Sequence, residues 1–153
     1  MYRSYMIFSN SQVCVTSDQF ALEMLGKPWV DRACSHEFVD CWGLVVMYFR
    51  RVHGINIHHD ESYSSGLSFA TCYLSEVSFW RPEPAAVSGG IFVSFTGSIP
   101  THVGLVYPAG KILHARQNSA VRFDRIRTLE RLSTRVEWFT YAGDKHSEGS
   151  GPS

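Results

Sequence analysis

Cys41, His102 and His114 are the residues whose types and spacing can do chemistry together. A thiolate is a strong nucleophile, and an imidazole beside a thiol can take its proton. Cys41 directly follows Asp40 at the start of the strongest helical pattern in the chain. The unsatisfied N–H groups of a helix N-terminus stabilise an anion there and raise the thiolate fraction. Asp40 pulls the other way, because a neighbouring carboxylate disfavours a second negative charge. A nearby imidazolium would complete the activation, and Cys41 is then expected to react well below the ordinary thiol pKa of about 8.5. The competing reading is a buried cysteine that only fills space between helix and sheet.

The two histidines bear on that choice. A three-residue loop at Pro108, Ala109 and Gly110 would pair Tyr107 with Lys111 and Gly104 with His114. His102 and His114 would then share one sheet face as diagonal neighbours, roughly 7–8 Å apart. At that separation one imidazole can orient the other, with His102 as base and His114 holding its second nitrogen. Gly104 leaves the space between them free of a side chain. Two polar residues on a solvated face is the alternative, and one unit of register slip would separate the pair.

Elements of two kinds must position these residues. The first half of the chain is helical. Ser17 or Asp18 can cap a helix to about Leu25, with Phe20, Ala21, Met24 and Leu25 on one face and Gly26 and Pro28 as its stop. A second helix starts near Asp40, with Leu44, Val45, Tyr48, Phe49 and Val52 as its stripe. Arg50, Arg51 and His53 suit its carbonyl end, and Gly54 suits the position just past it. The second half reads as short strands, IFVSF, THVGLVY, KILHAR, AVRFDRI and VEWFTYA, separated by turn residues. Short connections imply an antiparallel meander. The expected class is α+β: N-terminal helices packed on a C-terminal antiparallel sheet of about five strands.

Local sequences then carry a resemblance. Gly26-Lys-Pro-Trp29 and Phe38-Val-Asp-Cys41-Trp-Gly-Leu-Val45 resemble the Gly-x-Pro-aromatic and Asp-Cys-x-Gly-Leu-Val signatures of NlpC-type cell-wall cysteine peptidases. His102-Val-Gly-Leu-Val-Tyr107 and Gly110-Lys-Ile-Leu-His114-Ala115 resemble their His-Val-Gly-Ile-Tyr and Gly-x-x-Ile-His-Ala block. The resemblance covers roughly Phe20 to Ala142. It implies a papain-like core in which a helix bears the nucleophile and an antiparallel sheet bears the base. It also implies that Cys41 attacks an amide carbonyl, His102 moves the proton and His114 orients His102. The N–H of Cys41 would contribute to an oxyanion hole. The implied substrate is a peptidoglycan stem peptide, cleaved between D-Glu and a diamino acid, with Asp40, Trp42 and Trp29 bordering it. No cofactor and no metal are implied.

Three positions depart from the commonest pattern. Trp42 stands where many members have a Ser that helps bind the substrate's free amine, Trp29 where Tyr is commoner, and Gly89-Gly90-Ile91 replaces Gly-Asp-Ile/Val. The last is read as structural. The Asp-Cys-Trp-Gly version most resembles the tail-tip peptidases of long-tailed bacteriophages, which implies other tail-tip proteins as partners.

Composition bounds the rest. Lys plus Arg and Asp plus Glu both number 14 in 153 residues, so the composition suggests no electrostatic footprint for nucleic acid or an anionic membrane. A pI near 7.0 suits a component of a larger assembly better than a freely diffusing protein. No stretch approaches the roughly 20 apolar residues of a membrane helix. Residues 1–8 lack a long apolar region and a cleavage site, so no signal peptide is read. Synthesis in the cytoplasm and action from a virion tail tip on the host periplasm or wall is the expected location. One peptidase domain is expected over 1–142, with a flexible tail at 143–153.

The cysteines at 14, 34, 41 and 72 match no disulfide framework, and one reactive thiol among inert ones is expected. A zinc site from Cys34, His36, His58 and His59 has irregular spacing and is set aside. His36 and the run His58-His59-Asp60-Glu61 read as polar loops. Tyr63, Trp80 and Arg81-Pro82-Glu83-Pro84 fall in a long connection that covers the core. Arg116, Arg122, Arg125 and Arg127 alternate with apolar residues, as on a solvated strand face. Two competing functions remain: a tail-tip structural protein that has lost activity, and acyl transfer to or from lipid on the same fold. The intact Cys, His and His argue against the first.

Overall fold

A computed structural model describes residues 14–57 and 76–143 of the chain. His58, His59, Asp60, Glu61, Tyr63 and Cys72 lie outside the described residues, as do residues 1–13 and 144–153.

Helix α1 spans Ser17–Met24 and buries Phe20, Ala21 and Met24. Its cap is Thr16, one residue earlier than Ser17 or Asp18. The Thr16 hydroxyl accepts from the Gln19 N–H at 3.0 Å, and the Gln19 side chain accepts from the Thr16 N–H at 2.9 Å. This reciprocal box satisfies two orphan donors, which a cap at Ser17 or Asp18 would not do. Leu25 is 38% exposed, because the chain has already left the helix.

Helix α2 spans Cys41–His53, with Asp40 as N-cap and Gly54 beyond its end at φ 67° and ψ 26°. All nine residues from Cys41 to Phe49 are buried. A helix buried all round belongs in a core rather than on a surface. The apolar stripe of Leu44, Val45, Tyr48 and Phe49 is therefore only part of what α2 hides.

The sheet has six strands where about five were expected: β1 (Trp80–Glu83), β2 (Ile91–Thr96), β3 (Ile99–Tyr107), β4 (Lys111–Ala115), β5 (Val121–Arg125) and β6 (Arg135–Tyr141). Their order is β1-β6-β2-β3-β4-β5. Strands β2 to β5 form the expected meander, and β6 returns to pair antiparallel with β2 on one side and β1 on the other. The added strand β1 comes from the segment read as a connection. Pro82 cannot donate to a ladder, so the segment is tolerated only at an edge, where β1 lies. Its Trp80 is 6% exposed and packs edge-on against Phe49 and Tyr141.

A second difference lies at AVRFDRI. The strand ends at Arg125, and Ile126–Arg131 forms a short helix, α3. Arg127 is thus on a helix, while Arg116, Arg122 and Arg125 are exposed as expected.

The sheet separates two cores. One face carries Ile91, Val93, Val103, Leu105, Leu113 and Val121 against α1 and α2. The other carries Phe92 and Ile112, covered by Leu129 of α3. Among the described residues no helix is long and apolar enough to cross a membrane.

Candidate active site

The site begins with the cap of α2. Asp40 is 1% exposed, and each carboxylate oxygen accepts a main-chain N–H, from Gly43 at 2.7 Å and from Arg32 at 2.8 Å. One side chain thus satisfies a helix donor and ties down the preceding loop. Gly43 is required by the same closeness: a Cβ there would overlap the carbonyl oxygen of Ala33. The Asp-Cys-x-Gly spacing is in this sense a packing requirement of the helix start.

The loop before Asp40 is held against the start of β5. Gly26 N–H donates to Val121 O at 2.9 Å, Val121 N–H to Lys27 O at 2.9 Å, and Trp29 N–H to Ser119 O at 3.0 Å. Its own ends close through Val39 N–H to Pro28 O at 3.2 Å and Val30 N–H to Val39 O at 3.1 Å. Cys41 therefore projects from a helix end anchored on both sides.

Strand β3 supplies the opposing side. Its ladder with β4 pairs Tyr107 with Lys111, Val106 with Ile112 and Leu105 with Leu113, the register expected from the three-residue loop. Pairing with β2 runs from Ile91 opposite Leu105 to Ser94 opposite His102, and then shifts so that Phe95 faces Pro100. Thr101 is the extra residue of this bulge. A bulge bends and twists its strand and re-aims the neighbouring side chain, here His102.

His102 Nε2 lies 2.9 Å from His114 Nδ1. Phe92 packs against both rings, at centroid distances of 5.5 and 6.0 Å. His114 is 2% exposed, and its Nε2 lies 2.7 Å from Asp124 Oδ2 on β5. The other oxygen of Asp124 accepts from Arg122 at 2.9 Å. Asp124 went unremarked in the sequence, where Arg122 and Arg125 read as a solvated face. The available signal was its position two residues from Arg122, the partner of His114 in the β4–β5 register.

Burial governs the protonation of the group. Burial, then the charge of His114, then that of Arg116, push His102 well below the ordinary imidazole range. Burial also lowers His114, although the Asp124 hydrogen bond and charge pull it back. Burial alone would raise Asp124. The hydrogen bond from His114, its charge and Arg122 together hold that carboxyl below its ordinary value.

For Cys41 the expectation of a depressed pKa is overturned. Burial first, and Asp40 second, push the thiol up to about 12, against favourable hydrogen bonds from the main chain of Val103, Trp42 and Cys41 itself. The helix N-terminus does favour the thiolate, but desolvation outweighs it. Burial thus favours the neutral form of both the Cys41 thiol and the His102 imidazole. Cys34 is also raised by burial, and its thiol faces the Gly43 carbonyl at 3.6 Å.

The residues expected at the substrate are placed unequally. The Asp40 carboxylate is turned inward, as described. Trp42 is 5% exposed and lines a small apolar cavity of about 20 Å³ with Trp80, Val93, Val103 and Phe139. Both side chains are buried at the start of α2. Trp29 is half-buried on the loop between α1 and α2. His36 lies on an exposed loop. Among the described residues no cluster of His, Cys, Asp and Glu is arranged to hold a metal ion.

The sequence pattern of the NlpC/P60 family matches residues 26–135. No match is found among curated protein sequences. Among solved structures, the chain is similar to the NlpC/p60 domain of the peptidoglycan hydrolase SagA, with TM-score 0.55 and 16% identity over 86% of this chain and 98% of that one. It is also similar to NlpC1 from Trichomonas vaginalis, with TM-score 0.59 and 18% identity over 83% of this chain and 43% of that one. An NlpC/P60 family protein from Bacillus cereus gives TM-score 0.57 and 17% identity over 86% of this chain and 41% of that one. The chain thus spans less than half the length of these last two. At such identities the likeness is one of fold, and it agrees with a helix-borne cysteine packed on a six-stranded antiparallel sheet. With the pattern matched over most of its length, the chain belongs to the NlpC/P60 family.

Proposed function

We propose that the protein is a cysteine peptidase that hydrolyses an amide bond in peptidoglycan stem peptides, between D-Glu and a diamino acid. The observation that carries the reading is a helix-start thiol lying against the main chain beside a hydrogen-bonded pair of imidazoles. Cys41 sits at the N-terminus of α2 with its sulfur against the main chain of Val103, the residue after His102. His102 in turn is held by His114 at 2.9 Å.

The chemistry follows from these groups. His102 is neutral and can accept a proton. As Cys41 attacks the amide carbonyl, its proton passes to His102 and the carbonyl electrons move to oxygen, where the Cys41 N–H stabilises the charge. Collapse breaks the C–N bond, and His102 returns the proton to the departing amine. Water then hydrolyses the thioester, with His102 again taking and returning a proton.

The finer placement is at a bacteriophage tail tip, supported by the Asp40-Cys41-Trp42-Gly43 version of the motif. Other tail-tip proteins are the partners in that reading. Immunogold labelling of purified tails tests it, and label confined to positions other than the tip would remove the placement.

Digestion of purified sacculi by the wild type and by Cys41→Ala, under reducing conditions, tests the activity. Mass analysis should find new amine termini on the diamino acid with the wild type only. Their absence would favour a catalytically silent structural role instead.

A further inference from the structure

Asp124 belongs to none of the motifs that the sequence singled out, yet it ends a continuous line of hydrogen bonds to the site. Its Oδ2 lies 2.7 Å from His114 Nε2, and His114 Nδ1 lies 2.9 Å from His102 Nε2. Its Oδ1 accepts from Arg122 at 2.9 Å. An ionised carboxylate has no proton to donate, so the hydrogen between Asp124 and His114 belongs to His114 Nε2. A neutral imidazole carries one N–H. His114 Nδ1 is therefore a bare acceptor, and the hydrogen in the next bond belongs to His102 Nε2. That leaves the lone pair of His102 on Nδ1, the ring nitrogen not used by His114. In this way the hydrogen-bond network, rather than either ring alone, assigns both tautomers.

We propose that Asp124 is a positioning residue for the reaction, whose carboxylate acts through His114 to fix both imidazole tautomers and present Nδ1 of His102 as the proton acceptor. The proposal rests on the reading of Cys41 and His102 as reacting groups. When Cys41 gives up its proton, that proton arrives at His102 Nδ1 while Nε2 keeps its own. The resulting imidazolium still donates to His114 Nδ1, and His114 still donates to the anionic Asp124. No other proton moves. The carboxylate thus stabilises the cation from two hydrogen bonds away without being protonated.

Arg122 makes the idea sharply testable. Its guanidinium only donates, so in Asp124→Asn the amide oxygen would turn to Arg122 and the NH2 to His114. His114 Nε2 must then accept, which moves its hydrogen to Nδ1. That hydrogen faces His102 Nε2, which must now accept, leaving His102 protonated on Nδ1, the wrong nitrogen. The isosteric Asn should therefore harm more than Asp124→Ala, which removes the bias without reversing it.

The experiment measures cleavage of a muropeptide and the 15N spectra of the histidine rings for wild type, Asp124→Asn, Asp124→Ala and Asp124→Glu. The wild type should show His102 protonated on Nε2 alone. Asp124→Asn should reverse both rings and lower kcat by about 100-fold or more with KM little changed. Asp124→Ala should lose less, and Asp124→Glu should retain most of the rate. Adding Arg122→Ala to Asp124→Asn should free the amide to rotate and recover part of the loss. A wild-type His102 protonated on Nδ1, or an Asp124→Asn protein with unchanged rings and rate, would overturn the proposal. If Asp124→Asn does not fold, the wild-type spectrum and Asp124→Glu still decide. If the wild type cleaves nothing, the activity reading fails while the ring spectra judge Asp124 separately.

Discussion

A Cβ placed on Gly104 would lie 2.8 Å from the Cβ of His114 and 2.5 Å from the ring of Phe92. Gly104 is thus the gap through which His114 reaches His102. Phe92 is 0% exposed and its ring cannot swing aside into solvent. Gly104→Ala should cost about 1–3 kcal/mol of stability through overpacking. Urea unfolding measures this. Adding Phe92→Leu should make the double mutant more stable than the sum of the two single losses, since the two sites touch.

Acid should weaken the fold through the buried His114 and the half-buried His102. His102 and His114 both have folded pKa values below the ordinary value of about 6.5. The unfolded chain therefore binds protons below about pH 6.5 that the folded chain refuses, so stability is full above that pH and is lost as pH falls through it. Asp124, depressed in the folded state, adds a further loss below its unfolded value of about 3.9. The urea midpoint should fall between pH 7.5 and pH 5. An unchanged midpoint would mean that the rings are protonated in the folded protein.

Thiol labelling should report the neutral resting site. With its pKa pushed up to about 12, Cys41 should react slowly with iodoacetamide at pH 7 and faster through pH 9 and above. Peptide mapping separates it from Cys14, Cys34 and Cys72. Asp40→Asn removes the neighbouring negative charge and should shift the labelling curve to lower pH. It also deprives the Arg32 N–H of its acceptor, at a cost of about 1 kcal/mol. Rapid labelling of wild-type Cys41 at pH 6 would contradict both the burial argument and this shift.

Gly43→Ala should be more damaging than an ordinary helix substitution. Alanine is the better helix former, but here its Cβ would strike the main-chain carbonyl of Ala33, which is itself held by the Asp40 N–H at 3.0 Å. Neither partner is the end of a flexible side chain. A loss of about 3 kcal/mol or more is expected. Thermal unfolding and soluble yield measure it, and a stabilised Gly43→Ala protein would show that the loop at Ala33 moves freely.

What could be read locally was read correctly because its causes are local. Asp40 as cap, Gly54 beyond the helix end and the Tyr107–Lys111 register each depend on a few adjacent residues and their own hydrogen bonds. The twelve-residue step brought His102 and His114 together because a tight loop and the two-residue period of a strand leave little choice. Thr16 replaced Ser17 as a cap by one residue, within the reach of the same chemistry.

Tertiary structure decided the rest. Strand β1 exists because β6, some 55 residues later, offers it a partner, and no periodicity in Trp80–Glu83 announces that. Asp124 reaches His114 because β5 lies beside β4. Asp40 and Trp42 face inward because α2 is wrapped by core on every side near its start. The same wrapping reverses the expected acidity of Cys41. Helix-end partial charges can be read from a sequence, whereas desolvation depends on everything packed around the atom, and here desolvation is the larger effect.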